Sequence, residues 1–186
     1  NFVYVARGDE VLVNKQAASA SETASDDVEL TLRKVYDFAM ETPFEELKFI
    51  LETRNLNKQA AERSFKGNYG HQLGKTLNSK KNEGLMMGDN TFTHILSYTS
   101  AACDARMSGA PVPVMSNSGS GNQGITVSMP VLAYAKEYNI EEERIYRALV
   151  VSNLTAIHQK TLIGRLSAYC GAISAGGGCD RRAQSV

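Results

Sequence analysis

The chain opens with an alternating pattern of apolar and polar residues. Within residues 2–16 apolar side chains alternate with other residues on both sides of a turn at residues 7–10, which predicts a β-hairpin. Because a lone hairpin is marginally stable in water, we expect this one to be left from an upstream α+β domain. Residues 17–27 are small and polar and predict a linker, so residues 1–26 form the first predicted segment.

From residue 27 onwards, apolar residues recur at helical spacing. Asp26 and Asp27 are expected to begin the first helix, and Thr42 and Glu45 to form a capping box at the next one. Further helices are expected at residues 56–80 with glycine interruptions, at 91–108, at 125–132 with a kink at Pro130, at 141–163 and at 165–175. The predicted fold is mainly α, a helical bundle at residues 27–186 that is incomplete at its C-terminal end, behind a short N-terminal β-hairpin.

Composition narrows the classes of partner and the compartment. Of the 186 residues, 42% are apolar and 22% are charged, which permits a buried core. Lys plus Arg equal Asp plus Glu at 20 each, so the chain lacks the positive charge of a nucleic-acid binder. No apolar stretch has the length of a membrane span, and three cysteines do not suggest a secreted disulfide scaffold. We therefore expect a cytoplasmic protein that binds neither nucleic acid nor membrane.

A glycine-rich run is the strongest candidate for a ligand-handling loop. Glycines let a ligand approach the main chain, the Ser, Asn and Gln side chains offer uncharged donors and acceptors, and a helix beginning near Asn122 would favour a carboxylate. A solvated linker is the alternative, but apolar residues flank the run on both sides. The predicted substrate-binding residues here are Ser116, Asn117, Ser118, Gly119, Ser120, Gly121, Asn122, Gln123 and Gly124.

Charged residues and a cysteine near the loop are further candidates. Asp104 and Arg106 precede it and could anchor it or orient a substrate, with Arg106 holding a carboxylate by two hydrogen bonds. A structural ion pair or plain surface charges explain the same residues equally well. Cys170 lies among small residues, which is also typical of a buried packing cysteine. No complete metal site is visible from the spacing of Cys and His residues.

Three segments resemble the L-cysteine desulfidase group, which is related to the alpha part of iron–sulfur L-serine dehydratases. They are SAACDARM at residues 100–107, PVMSNSGSGNQGI at 113–125 and GRLSAYCG at 164–171. The resemblance implies a lyase that splits L-cysteine into pyruvate, ammonia and sulfide, or L-serine into pyruvate and ammonia. It also implies an oxygen-sensitive [4Fe-4S] cluster that acts on the substrate as a Lewis acid after a base removes the α-proton.

The resemblance assigns Cys170 as the first of three cluster cysteines and places the glycine-rich loop against cluster and substrate. The other two cluster cysteines and the basic cysteine of the group belong to motifs outside this chain, so the catalytic base is not assigned. Cys103 stands where relatives carry a small residue and is not expected to be a ligand. The tail at residues 180–186 also departs from the group. We therefore expect a fragment truncated at both ends that binds no intact cluster alone and that could self-associate through exposed apolar faces.

Two other functions stay open on the residues alone. A hydrolase or isomerase could use the loop without iron. A non-catalytic amino-acid-binding or scaffold protein could retain the pocket after losing the chemistry. Pyruvate formation from either amino acid by the full-length protein distinguishes a lyase from both.

Overall fold

The structure is a computed structural model that describes residues 4–14, 29–79, 90–164 and 168–177. It divides into two compact units, residues 1–30 and residues 31–186. The first contains a β-hairpin and the second is helical, which confirms the predicted mainly α fold with a short N-terminal hairpin. The predicted linker at residues 17–27 lies outside the described residues.

The hairpin consists of β1 (Tyr4–Arg7) and β2 (Glu10–Asn14), which pair antiparallel. Arg7 lies opposite Glu10 at the closed end, as predicted. Gly8 in the connecting turn has a φ of +63°, which glycine adopts without a steric penalty.

The helical unit follows the order predicted from the apolar spacing. Its α-helices are α1 (Leu32–Glu41), α2 (Phe44–Leu47), α3 (Leu51–Lys66), α4 (Leu73–Leu77), α5 (Thr91–Met107), α6 (Gly121–Glu137) and α7 (Glu142–Ile163). A 3₁₀ turn (Lys48–Ile50) links α2 to α3, and a π-helical turn (Ala172–Gly176) follows α7. Over the described part of the chain, no helix is both long enough and apolar enough to cross a membrane.

Helix α6 forms the centre of the bundle. On one side Ile125 and Met129 pack against alanines of α3 and α5. On another side Val131 packs with Leu149 of α7 in a second apolar cluster. The small alanine side chains allow the helices to approach closely, and the buried apolar area fixes α6 along its length. The start of α6, where the glycine-rich run lies, is therefore attached to the most buried element of the unit.

Two predicted helix starts are wrong. Helix α1 begins at Leu32, and its cap is Thr31, whose side chain accepts a hydrogen bond from the Lys34 amide; the proposed starts at residues 26 and 27 lie outside the described residues. Thr42 does not cap α2, because its own amide still donates to the Phe38 carbonyl at the end of α1. Pro43 then precedes α2 with no side-chain cap. Only Thr42 and Pro43 separate the two helices, and Thr42 already ends α1, so the capping box does not form.

The glycine interruptions have separate structural reasons. Gly67 ends α3 and leaves room for the ring of Tyr69. Gly74 lies inside α4, where a Cβ would come within 2.6 Å of the Cβ of Ala101 on α5. The expected packing contact between close helices is thus present. The expected helix at 165–175 is wrong at residues 168–170, which are not helical, while 165–167 lie outside the described residues.

Candidate functional site

The glycine-rich run begins with a tight two-residue turn. Asn117 and Ser120 exchange both backbone hydrogen bonds, at N···O distances of 3.1 and 3.0 Å. Between them Ser118 and Gly119 both have positive φ, at +48° and +81°. Two successive positive φ values are the signature of a type I′ turn, in which glycine suits the second position and serine is strained at the first. The predicted flexible loop is therefore a closed turn of defined geometry.

The second half of the run is the first turn of α6. The Ser120 hydroxyl accepts a hydrogen bond from the Gln123 amide at 3.2 Å and caps the helix. The amides of Gly121 and Asn122 donate to no group in the described ranges. The sequence pattern predicted a helix only at the apolar run 125–132, with a start near Asn122 as the condition for anion binding; α6 begins at Gly121, so that condition is met. The free amides at the start of this 17-residue helix favour an anion.

Beneath the turn, Asn117 and Gln123 form a buried polar layer. The Gln123 amide nitrogen donates to Asn117 Oδ1 at 2.8 Å, and Asn117 donates in turn to the carbonyl and side chain of Asn153 on α7. Gln123 Oε1 is buried and has no hydrogen-bond partner among the described residues. It faces Gly171, where an added Cβ would collide with it. The unmatched acceptor of the loop thus lies against the residue that follows Cys170.

Arg106 contacts the outer side of the same helix start. Its Nη1 donates to Asn122 Oδ1 at 3.0 Å. Gly121 makes this approach feasible, because any side chain there would occupy the space of the guanidinium group. Arg106 therefore reaches the loop from α5, which is the anchoring geometry considered for it from the sequence. Ser116, at the opposite end of the run, is exposed before the turn.

Asp104 lies on α5 with one oxygen unmatched. Its Oδ2 is buried without a hydrogen-bond partner among the described residues. Its Oδ1 lies next to Gly70, where an added Cβ would come within 2.6 Å. Within the described part of α5, Asp104 makes no ion pair with Arg106. A buried carboxylate oxygen without a donor is costly, and in native proteins it commonly marks a site for a ligand or ordered water.

The two cysteines in the described ranges differ in exposure. Burial, then the charge of Asp104, raises the pKa of Cys103 to about 11, while Arg106 opposes this shift and Cys170 adds to it. Cys103 is half-buried and Cys170 is exposed, and both are free thiols. At neutral pH the Cys103 thiol is protonated, which makes it a poor metal ligand. The two cysteines are nevertheless near enough to influence each other electrostatically.

The described residues bring few possible metal ligands close together. Within the described ranges, no group of three or more His, Cys, Asp and Glu side chains could hold a metal ion. Cys170 presents one exposed thiol, and Cys179 lies outside the described residues. Since a [4Fe-4S] cluster of this type needs three thiolates, the described residues do not form its site by themselves.

Asn57 is a site residue that the sequence did not reveal. It lies on α3 and is 0% exposed. Its Nδ2 donates to the Gly124 carbonyl at 3.3 Å and to Ser128 Oγ at 2.7 Å, and its Oδ1 accepts from the Met115 amide at 2.9 Å. Gly124 has no side chain because the Met115 carbonyl occupies that space. Asn57 thus joins the entry of the loop to the first turn of α6.

Comparison with known proteins places the sequence of this chain in a family. The sequence model for the serine dehydratase alpha chain matches residues 9–183. The chain belongs to the serine dehydratase alpha chain family. The turn, the start of α6 and Cys170 all fall inside the segment that matches this family.

Relatives of the same family extend well beyond this chain. A UPF0597 protein of Phocaeicola vulgatus is 62% identical over 178 residues, covering 96% of this chain and 41% of the relative. A UPF0597 protein of Bacteroides fragilis is 60% identical over 95% of this chain and 41% of the relative. One of Vibrio parahaemolyticus is 40% identical over 92% of this chain and 40% of the relative. The chain thus spans about two fifths of the curated relatives it matches, and no solved structure matches it significantly.

Proposed function

We propose that this chain supplies the amino-acid-binding wall of a lyase that releases ammonia and pyruvate from an L-amino acid with a leaving group on its β-carbon. Membership of the serine dehydratase alpha chain family supports lyase chemistry related to serine dehydration. Within this proposal L-cysteine, with release of sulfide, and L-serine, with release of water, are the two substrates. The proposed wall consists of residues 116–124 together with Asp104 and Arg106.

The observation that carries the proposal is the buried, unmatched Gln123 Oε1 at the start of α6. A hydrogen-bond acceptor in a closed interior is stabilised only when a donor reaches it. The ammonium group of an amino acid is such a donor, and Asp104 Oδ2 offers a second unmatched acceptor for the same chemistry.

The carboxylate group of an amino acid also has complementary groups near the loop. The Gly121 and Asn122 amides at the helix start suit a carboxylate, and Arg106 adds a positive charge beside Asn122. In this arrangement the chain binds and orients the substrate, and the type I′ turn keeps the amides in fixed positions. A cluster bound in the full-length protein would supply Lewis acidity towards the leaving group, with Cys170 proposed as one of its ligands.

The proposal is tested with the full-length protein purified without oxygen. Pyruvate is measured with L-cysteine and L-serine as separate substrates, and sulfide is measured with L-cysteine. We expect pyruvate from at least one of them. Binding of either amino acid without pyruvate would instead support a non-catalytic amino-acid-binding protein, and neither binding nor pyruvate would contradict the proposed site.

A further inference from the structure

Met107, the last residue of α5, contacts the two side chains that meet at the start of α6. Its sulfur is 3.3 Å from Arg106 Nη1 and 3.2 Å from Asn122 Nδ2. The same nitrogen of Arg106 donates to Asn122 Oδ1 at 3.0 Å, so the three side chains form a polar cluster at the surface. Met107 is 66% exposed. A methionine sulfur is thus open to solvent beside two hydrogen-bond donors.

The thioether of Met107 holds these donors only weakly, because a methionine sulfur is a poor hydrogen-bond acceptor. Among the described residues, Asn122 Oδ1 is the one oxygen that the Arg106 guanidinium reaches. The remaining guanidinium nitrogens donate to no group in the described ranges. Arg106 therefore keeps most of its donors for a ligand, as the proposed binding of a substrate carboxylate requires.

Of the four methionines in the described ranges, Met107 is the most open to an oxidant. Met129 is 1% exposed, and Met40 and Met115 are half-buried. Oxidation of methionine requires access to the sulfur, and its product, the sulfoxide, is reduced again by methionine sulfoxide reductases. Reversible oxidation is therefore expected first at Met107.

Oxidation would change what the Met107 side chain can accept. Hydrogen peroxide transfers one oxygen atom to the sulfur: the O–O bond breaks, an S–O bond forms, the thioether loses two electrons and water leaves. The sulfoxide oxygen is polar and accepts hydrogen bonds well. Arg106 Nη1 and Asn122 Nδ2 already lie within reach of this position.

We infer that Met107 is a reversible oxidation site and that its sulfoxide occupies the donors of Arg106 and Asn122, so that a carboxylate binds less tightly at the start of α6. The effect on binding rests on the proposed function, in which Arg106 holds the substrate carboxylate. The modification itself rests only on the exposure and contacts of Met107.

The site of oxidation is tested by peptide mapping of the full-length protein after graded exposure to hydrogen peroxide. We expect conversion of Met107 to precede that of Met40, Met115 and Met129. Earlier conversion of any of these three would overturn the inference.

Two variants separate the sulfoxide from other effects of peroxide, which also oxidises cysteines. Met107→Gln places an amide oxygen near the same donors without an oxidant, whereas Met107→Leu offers no acceptor. The KM of pyruvate formation should be about tenfold higher in Met107→Gln than in Met107→Leu, the effect of one charged hydrogen bond. Peroxide should raise KM less in Met107→Leu than in Met40→Leu, which is the control. Equal KM values in the two Met107 variants would overturn the inference.

The reactivity of Arg106 gives a readout that does not depend on activity. Phenylglyoxal modifies the guanidinium group, and its rate at Arg106 should be about fivefold lower in Met107→Gln than in Met107→Leu, as one net hydrogen bond would give. Arg63, exposed on α3, should react equally in both. Equal rates at Arg106 would overturn the inference. Absence of pyruvate from the unmodified protein would contradict the proposed function instead, and the oxidation map and the Arg106 rates would still decide on the modification site.

Discussion

Two fully buried amide side chains close to the loop differ in how completely they are hydrogen-bonded. Asn57 and Gln123 are both 0% exposed. Asn57 uses both of its polar atoms, in three hydrogen bonds to the loop entry and to α6. Gln123 uses its nitrogen but leaves Oε1 without a partner. A complete set of hydrogen bonds stabilises the fold, whereas an incomplete one leaves a group available to a ligand.

Replacing Asn57 should have the largest effect on stability. Asn57→Leu keeps the approximate volume but leaves the Met115 amide buried without its acceptor. We expect the free energy of unfolding to fall by about 3 kcal/mol, from lost hydrogen bonds and the unsatisfied amide. Urea denaturation measures it. Asn55→Leu, at an exposed position on the same helix, is the control and should change stability by less than about 0.5 kcal/mol. If Asn57→Leu lowered the free energy of unfolding only slightly, the hydrogen bonds of Asn57 would contribute little to stability.

Gln123→Met should affect activity more than stability. It keeps the shape of the side chain, removes one hydrogen bond to Asn117 and should cost about 1 kcal/mol of stability. If Oε1 contacts the substrate, kcat/KM for pyruvate formation should fall by about a hundredfold. Gln59→Met, on the exposed face of α3, should alter neither quantity. Full activity in Gln123→Met, or a stability loss as large as that of Asn57→Leu, would remove the distinction between the two amides.

Two glycine-to-alanine variants test whether the backbone of the two-residue turn takes part in substrate binding, as proposed for Gln123. Gly119 has a φ of +81° and open space around it, so Gly119→Ala should cost about 1 kcal/mol from backbone strain alone. Gly109 has a φ of +73° with equally open surroundings after α5, so Gly109→Ala should cost about the same. Thermal denaturation compares them. Only Gly119→Ala should also lower kcat/KM, and equal activity in the two variants would argue against a role of the turn in binding.

The smallest expected effect is a change in the pKa of Cys103 when the charge of Asp104 is removed. Like Gln123, Asp104 has one buried oxygen without a hydrogen-bond partner among the described residues. Asp104→Asn should lower the pKa of Cys103 from about 11, but burial is the larger cause and should keep the pKa above the ordinary value of 9.0. The alkylation of Cys103 by iodoacetamide should then begin at a lower pH, since only the thiolate reacts. Peptide mapping of the alkylated protein measures this. Asp37→Asn, on α1, is the control, and an unchanged pH profile would place the Asp104 charge away from the thiol.

The sequence predicted the apolar surroundings of the glycine-rich run better than the hydrogen bonds that hold it. Apolar residues on both sides of the glycine-rich run indicated that it is anchored in the core, whereas the helix that follows was expected at residues 125–132 and begins four residues earlier, at Gly121. Asn57 could not be found, because its partner Met115 lies 58 residues away and a polar residue in mid-helix gives no signal of its own. The cap of α1 was misplaced because Asp26, Asp27 and Thr31 are all suitable cap residues, and only tertiary packing decides among them.

The two-residue turn also restricts where insertions and deletions can occur in homologous proteins. Asn117 and Ser120 bond to each other in both directions, so one inserted codon between them would separate both pairs of backbone groups and shift α6 relative to α3. The link between α6 and α7 at residues 138–141 includes exposed Tyr138 and Asn139 and carries no such pairing across it. Insertions and deletions among homologues should therefore collect at residues 138–141 and be absent from residues 117–120.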